Sequence, residues 1–469
     1  MTAVLIKNGH IVTAVDDYQA DILIQDGRVH TIGRDIEVGG DVAVHDAEGL
    51  LVLPGGIDVH THIDWEFGVA RTVDTFGTGT KAAAFGGTTT LVDFCNQDRG
   101  GSPLAALEEW HSRSATAAID VGAHMIMLDV NEQSLAEMRT LISREGVATF
   151  KLFMAYPSVL MIDDGSIFKA MRVAGENGAM ICMHAENGEV INVLVEEAVA
   201  AGRTAPKYHA ITRPSIMEGE ATHRAIKIAE LADTPVYIVH LSASEALNAV
   251  TEARDRGIRV HAETCPHYLF LTDEEYDKEG FEGAKYVMTP PLRTHSHQSA
   301  LWRGLKTNDL QVVSTDHCPF CFAEQPYGLK FSKQQGADNF AKIPNGAPGI
   351  ETRLPLVFDG AVHKHGMSIN RFVELTSTTP AKLFGLFPKK GTIAVGTDAD
   401  IVLFDPNEQW TIRAAEHHSR VDYTLFEGHP VTGRVKKVFL RGQLIVDGDE
   451  WLGREGMGEY QRRGEAGKI

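Results

Sequence analysis

The chain has 469 residues, of which 43% are hydrophobic and 23% are charged, so it is long enough for one large globular domain and a smaller one. The formal net charge of −19 argues against a nucleic acid or an anionic membrane surface as a partner. No stretch approaches the ~18 consecutive apolar residues of a membrane span, and no signal peptide is evident. Five scattered cysteines indicate a reducing compartment without disulfides, so the cytoplasm is the expected location.

Both ends of the chain predict short β-strands. The predicted strands are Val4–Lys7, Asp21–Gln25, Arg28–Ile32, Val42–His45, Asp400–Phe404, Val435–Leu440 and Leu444–Val446. Asp26-Gly27 and Arg441-Gly442 are typical hairpin turns. A small sheet must bury one face, so we expect residues 1–53 and 391–450 to form one β-sandwich domain. Two unrelated terminal β-arms are the alternative.

The polar, glycine-rich residues 451–469 are predicted to be a tail. Such a tail could lie on the surface, contact a neighbouring subunit, or be mobile.

Residues 54–390 predict alternating strands and helices. Apolar strand-like runs end near His60, Asp93, Met127, Lys151, His184, His240, Glu263 and Thr315. Helical patterns include Thr75–Phe85, Pro103–Ala117, Glu132–Arg144, Ile167–Glu176, Glu220–Leu231 and Ser244–Arg256. Eight such units predict a TIM-like (β/α)8 barrel. An open doubly wound sheet is the alternative, which the lack of a Gly-x-Gly-x-x-Gly after the first strand disfavours.

Residue types that bind metals fall at the ends of these predicted strands. They are His60, Lys151, His184, His240 and Asp316, with His62 just beyond the first. The carboxyl ends of barrel strands form one ring, so these residues are expected to converge. Alone, His184 and His240 are more simply explained as hydrogen-bonded core residues. The pair His60-Thr61-His62 alone could be polar surface, and Asp316 alone could be a helix cap or a turn residue. Their joint placement predicts a site for zinc or a similar divalent ion, because imidazole and carboxylate are ligands of such ions.

Lys151 is the unusual member of this set. It lies between the apolar runs Val147–Phe150 and Leu152–Met154, where a charged amine is costly to bury. It could extend its amine to the rim of the barrel or pair with a carboxylate. Alternatively, the amine reacts with carbon dioxide to form a carbamate, whose two oxygens can bridge two metals.

Eight short motifs follow one another along the chain, namely Pro54–His62, Ala83–Thr89, Phe150–Tyr156, His184–Asn187, Val239–Ser242, Thr289–Arg293, Ser314–Phe320 and Pro344–Gly346. With these motifs in this order, the chain resembles the cyclic amidohydrolases, and most closely the dihydropyrimidinase and hydantoinase family. The motifs cover nearly the whole chain in the right order, and together they are highly specific.

The resemblance implies a (β/α)8 barrel with a β-sandwich built from both termini, and a site for two metals. The implied metal is usually zinc, with manganese and cobalt as alternatives. The implied ligands of one metal are His60, His62 and Asp316, and those of the other are His184 and His240. Lys151, as N6-carboxylysine, would bridge them. Homotetramers are the expected assembly, with dimers as the alternative.

The resemblance also implies an activity, which is the hydrolytic ring opening of dihydropyrimidines and 5-substituted hydantoins to N-carbamoyl amino acids. Tyr156 would bind the substrate carbonyl, and backbone groups at Thr289 and Asn345 would hold the rest of the ring. Asp316 would carry the proton from the attacking hydroxide to the leaving nitrogen.

Some residues depart from the family pattern or stay unassigned. Trp65-Glu66 stands where the family more often carries Met-Pro, and this loop and Pro157–Leu160 border the site of the ring substituent, so the natural substrate stays open. Cys265–Tyr268 resembles allantoinase relatives, which keeps that activity as an alternative. The roles of His267 and His317 stay open.

Two alternative functions, which do not involve cyclic-amide hydrolysis, have less support in the sequence. A non-catalytic scaffold, as in relatives that lost their metal ligands, is disfavoured because all six ligand positions hold ligand-competent residues. A zinc-ribbon or redox role for Cys318-Pro319-Phe320-Cys321 lacks a second cysteine pair.

Overall fold

The computed structural model describes residues 3–40, 42–326 and 328–468. Its strands are β1 (Ala3–Val12), β2 (Asp17–Gln25), β3 (Arg28–Gly33), β4 (Val42–Asp46), β5 (Leu51–Pro54), β6 (Gly56–Thr61), β7 (Glu66–Phe67), β8 (Ala70–Arg71), β9 (Thr88–Asn96), β10 (Asp120–Ile126), β11 (Thr149–Phe153), β12 (Met180–His184), β13 (Val236–Ile238), β14 (Val260–Thr264), β15 (Val312–Val313), β16 (Ile401–Thr411), β17 (Pro430–Leu440), β18 (Gln443–Asp447) and β19 (Glu450–Trp451).

The α-helices are α1 (Phe76–Phe85), α2 (Pro103–Ser114), α3 (Glu132–Thr140), α4 (Asp164–Glu176), α5 (Gly188–Ala200), α6 (Tyr208–Ile211), α7 (Ser215–Ala232), α8 (Ser244–Asp255), α9 (Pro266–Phe270), α10 (His295–Thr307), α11 (Arg353–Phe358), α12 (Ile369–Val373) and α13 (Thr379–Leu383). Helices α3 and α11 continue into π-helical turns at Leu141–Glu145 and Asp359–Lys364, and a third, Glu374–Thr378, joins α12 to α13.

Strands from both ends of the chain form one nine-stranded sheet. Its order is β19-β18-β17-β16-β5-β1-β2-β3, with β4 paired to β1. The two ends meet where β5 pairs antiparallel with β16, for example Val52 with Leu403. Buried side chains from both ends, including Ile22 and Phe439, share one core. The predicted joint β-domain is therefore confirmed, and separate terminal arms are wrong.

Both predicted hairpin turns are present. Gln25 pairs with Arg28, and Leu440 pairs with Gln443, so two residues make each turn. In each turn both central residues, Asp26-Gly27 and Arg441-Gly442, have positive φ. This is the geometry of a type I′ turn, which matches the twist of the flanking strands.

The central part of the chain is a parallel barrel. Its eight strands have the order β15-β14-β13-β12-β11-β10-β9-β6. The ring closes where Thr61 and His317 form a parallel bridge and the His62 amide donates to the His317 carbonyl at 2.8 Å. The predicted (β/α)8 barrel is confirmed, and the open sheet is wrong.

Local signals explain where several barrel helices start. Ser102 caps α2, accepting a hydrogen bond from the Ala105 amide, and a proline occupies the first turn. Asn131 and Ser134 form a reciprocal capping box at α3. Between α1 and β9, a Cβ on Gly86 would lie 2.6 Å from the Glu351 carbonyl oxygen, so this close packing requires glycine.

A buried ionic cluster lies at the amino-terminal end of the barrel strands. The Lys390 Nζ is 2.6 Å from carboxylate oxygens of Asp120 and Asp400, and 3.1 Å from one of Asp398. Burial alone would lower the pKa of Lys390, but the carboxylates raise it well above its usual value. Because Asp120 begins β10 and Asp400 precedes β16, the cluster joins the barrel to the sheet domain.

The tail of the chain runs along the same end of this barrel. The Val121 amide donates to the Glu459 carbonyl at 3.0 Å, and the Gln461 amide donates to the Val121 carbonyl at 2.7 Å. Arg463 is buried and donates to the Thr149 hydroxyl at 2.8 Å. The described part of the tail therefore packs on the barrel of its own chain.

Two further features concern the whole chain. Of the helices in the described ranges, none has both the length and the apolar character that a membrane crossing requires. All five cysteines are buried and reduced. Cys318 and Cys321 contact different carbonyls, those of Asn345 and Arg420, which gives the Cys-x-x-Cys stretch no common ligand centre.

Candidate metal centre and active site

All six predicted metal ligands converge at the carboxyl end of the barrel. His60 lies in β6, Lys151 in β11 and His184 at the end of β12, whereas His62, His240 and Asp316 follow their strands. The distances are 3.0 Å from His60 Nε2 to Lys151 Nζ, 3.1 Å from His60 Nε2 and 3.4 Å from His62 Nε2 to Asp316 Oδ1, and 2.9 Å from His184 Nδ1 to His240 Nε2. His240 and Asp316 have positive φ, a strained conformation that is common at functional sites.

The side-chain atoms of this cluster form a donor set that suits a bound cation. The Lys151 amine faces an imidazole nitrogen, and nitrogens of two other imidazoles face each other. The Nδ1 atoms of His62 and His240 are buried without a hydrogen-bond partner in the described part of the chain. Ligand atoms of His60, His240 and Asp316 lie within 4.8 Å of one another. The residues therefore fit a divalent metal, which imidazole and carboxylate together would hold.

Carboxylates behind the histidines orient the rings. Glu263 accepts a hydrogen bond from His60 Nδ1, and it also accepts from the Tyr237 hydroxyl at 2.9 Å and from the His240 amide at 3.1 Å. Glu186 is 2.8 Å from His184 Nε2. Each contact leaves the other ring nitrogen directed into the cluster, as in many metal sites.

Sequence reasoning did not assign Glu186 or Glu263 a role. The available signal was the same as for the ligands: Glu263 lies near the end of a predicted strand, and Glu186 follows His184 by two residues.

Lys151 is enclosed among aromatic rings and imidazoles. Its side chain is 1% exposed, and its Nζ is 4.2 Å from the Phe94 ring centre and 5.0 Å from that of Phe153. Burial lowers its pKa. The amine does not reach the rim, and within the described ranges it forms no ion pair. These contacts favour neither extension to the rim nor a direct carboxylate partner.

The predicted substrate-binding residues line the same cavity as the cluster. The lining includes Trp65, Phe153, Tyr156, Leu160, Thr289, Cys318, Asn345 and Gly346 together with five of the six predicted ligands. The Asn345 side-chain amide donates to the Tyr156 hydroxyl at 3.4 Å. Burial raises the pKa of Tyr156 to about 12, so the phenol keeps its proton at neutral pH. Tyr156, Thr289 and Asn345 are thus all brought to the cluster.

The two histidines left open by the sequence have different surroundings. His317 Nε2 is 3.0 Å from an oxygen of Asp74, and its Nδ1 accepts from the Gly349 amide at 3.2 Å. Both ring nitrogens are engaged, so His317 supports the loop and does not face the cluster. His267 is buried against Tyr268, and its Nε2 has no hydrogen-bond partner among the residues described.

Known proteins are similar to this chain in sequence and in fold over nearly its whole length. A model of the amidohydrolase family matches residues 51–445. A D-hydantoinase of Streptomyces coelicolor is 50% identical over 464 residues, covering 98% of this chain and 97% of that protein. A D-hydantoinase of Geobacillus stearothermophilus is 47% identical, covering 99% and 97%. The crystal structure of a dihydropyrimidinase from Brevibacillus agri has a TM-score of 0.96 at 48% identity and covers 99% of both chains.

Proposed function

The chain belongs to the amidohydrolase family, and from this premise we propose that it hydrolyses cyclic amides. The proposed substrates are 5,6-dihydropyrimidines such as dihydrouracil, and 5-substituted hydantoins, which would open to N-carbamoyl amino acids. The observation that carries the proposal is that six ligand-competent side chains form one cluster, and that five of them line one cavity together with Tyr156. The names of the close relatives support it.

The cluster would hold two divalent metal ions, of which zinc is our first choice. His60, His62 and Asp316 would bind one ion, and His184 and His240 the other. Burial lowers the pKa of His62 to about 3, so its imidazole is neutral and able to act as a ligand. When bound, such a pair supplies Lewis acidity and lowers the pKa of water from ~16 towards ~7.

Lys151 would bridge the two ions as a carbamate. Burial favours the neutral amine, which is the form that reacts with carbon dioxide. The amine nitrogen would form a bond to the carbon of carbon dioxide while one C=O double bond opens to a C–O⁻ group, and the nitrogen would lose a proton to water. The product would be an anion with two oxygens, so a buried amine without an ion-pair partner would be replaced by a group able to bind both metals.

Tyr156 and Asp316 would carry the reaction on the protein side. The Tyr156 phenol would donate a hydrogen bond to the ring carbonyl oxygen as negative charge develops there, and such a donor typically contributes ~10²–10³ in rate. Burial would raise the pKa of Asp316, but His60 and His62 hold it well below its usual value. Asp316 is thus ionised at neutral pH, and we propose that its carboxylate oxygen takes a proton from the attacking water and passes it to the ring nitrogen.

The other residues that line the cavity would bind the rest of the substrate. Backbone groups at Thr289 and Asn345 would hold the amide edges of the ring. The side chains of Trp65, Phe153 and Leu160 present apolar surface to the same cavity, which favours a ring with an apolar substituent.

We also propose that the chain assembles as a homotetramer, with a dimer as the alternative. Val190 and Val193 on α5 are 43% and 52% exposed, and Ile211 and Ile216 near the start of α7 are 60% and 58% exposed. The Asn187 amide, before α5, donates to the Met217 carbonyl of α7, so these side chains belong to one region. Sedimentation of the purified chain would measure its mass, and a monomer would contradict the proposal.

A substrate panel on metal-analysed protein tests the activity. The panel is dihydrouracil, dihydrothymine, hydantoin, phenylhydantoin, allantoin and dihydroorotate. We expect turnover of dihydropyrimidines or hydantoins, with an N-carbamoyl amino acid as product and with loss of activity when a chelator removes the metal. Turnover of allantoin or dihydroorotate alone, or none by fully loaded protein, would contradict the proposal.

A further inference from the structure

A second buried lysine lies behind the active-site cavity. Lys333 is 0% exposed, and its Nζ donates hydrogen bonds to the carbonyls of Val287 at 2.8 Å and Pro344 at 2.9 Å. No carboxylate of the described residues pairs with it, and burial lowers its pKa to about 7. A methionine of similar length would avoid the cost of burying an amine. The contribution of Lys333 therefore lies in the two carbonyls that its N–H groups hold.

Those two carbonyls belong to the two segments that line the cavity. Val287 precedes Thr289 by two residues, and Pro344 directly precedes Asn345. The Gly346 amide donates to the Val287 carbonyl at 3.1 Å, so a backbone hydrogen bond and the Lys333 amine join the same two segments. Lys333 is not among the residues that line the cavity. Through its two side-chain hydrogen bonds, Lys333 therefore acts on the cavity by way of the backbone next to Thr289 and Asn345.

We propose that Lys333 is a positioning residue that sets the spacing of the Thr289 and Asn345 segments and so determines how tightly the ring amide binds. This inference rests on the proposed function, in which backbone groups of these segments hold the ring. Removing the amine leaves the buried Pro344 carbonyl without its donor and leaves the Val287 carbonyl with the Gly346 amide alone. The segments would then relax, and displacements near 1 Å can reduce an enzyme's efficiency by about 10²-fold.

The test compares Lys333→Met, which keeps the length but removes the donor, with Lys333→Gln, which keeps an N–H donor on a shorter side chain. We expect Lys333→Met to raise KM by about 10-fold or more, with a smaller change in kcat and full metal content, because ground-state binding is what it loses. Lys333→Gln should recover part of the lost affinity. Lys342→Met, which changes an exposed lysine of the same loop, is the matched control with unchanged kinetics.

Hydrogen exchange at the Gly346 amide gives a readout that does not depend on turnover. We expect faster exchange in Lys333→Met than in wild type or Lys342→Met, because the two segments are less firmly joined. Unchanged KM and unchanged exchange in a folded variant would overturn the inference, as would a loss of metal and kcat with KM preserved. If Lys333→Met fails to fold, Lys333→Gln carries both measurements.

An inactive, metal-loaded wild type would contradict the proposed function and leave the exchange measurement to decide the role of Lys333 in joining the segments.

Discussion

The two ends of the barrel each bury a lysine, but in opposite electrostatic surroundings. At the amino-terminal end, Lys390 is surrounded by the carboxylates of Asp120, Asp398 and Asp400. At the carboxyl end, Lys151 faces the His60 imidazole and aromatic rings. The three carboxylates around Lys390 are placed closely enough to bind a metal ion, but they already bind the ammonium group of this lysine. The carboxylates at the amino-terminal end are paired with cations of the protein itself, namely Lys389, Lys390 and Arg441, whereas the other end presents imidazole and carboxylate atoms that suit an added cation.

The largest effect that tests this difference between the two ends is expected when the amine at the carboxyl end is removed. Lys151→Met should lose bound metal and lower kcat by more than about 100-fold, since losing groups that merely orient metal ligands already costs about 10–100-fold. The metal-free variant should unfold at the same temperature as metal-free wild type or higher, because it no longer buries an unpaired amine. Metal analysis, turnover and thermal unfolding measure these effects. Full activity in this variant would end the carbamate proposal.

The same substitution at the amino-terminal end should have the opposite effects, namely a loss of stability without a loss of metal or of kcat. Lys390→Met leaves a group of buried carboxylates without their central cation, so we expect a loss of about 3–5 kcal/mol in the free energy of unfolding. The folded fraction should keep its metal and its kcat. Urea unfolding and metal analysis make the measurement. A variant that lost metal while retaining stability would show that the two ends are coupled.

The smallest expected effect is that of the exposed Lys342, which pairs with Asp338 on the surface. Exposed ion pairs contribute only about 0–1 kcal/mol. Lys342→Met should therefore leave the unfolding midpoint within the error of the measurement, and it serves as the reference for both buried lysines. A large shift would mean that lysine replacement itself, and not burial, explains the effect at Lys390.

The sequence predicts the barrel and the cluster of six metal-ligand residues because both follow from local patterns. Alternating strands and helices indicate a barrel, and a barrel brings the strand ends at His60, His184 and His240 together without further information. Lys333 was not predicted, because it lies in a loop without hydrophobic periodicity, and its partners are carbonyls that no side-chain pattern reveals. The Lys390 cluster was also missed, since its carboxylates come from β10 and from the chain before β16.

The pairing of β5 with β16 also affects how the chain is made. Residues 51–54 emerge from the ribosome long before residues 401–411, which complete their sheet. At about 5–20 residues per second, β5 has an unpaired edge for tens of seconds. During that time the edge can pair with another nascent chain. Yield in cells is therefore expected to depend on how fast translation reaches the last strands, and not only on the stability of the finished molecule.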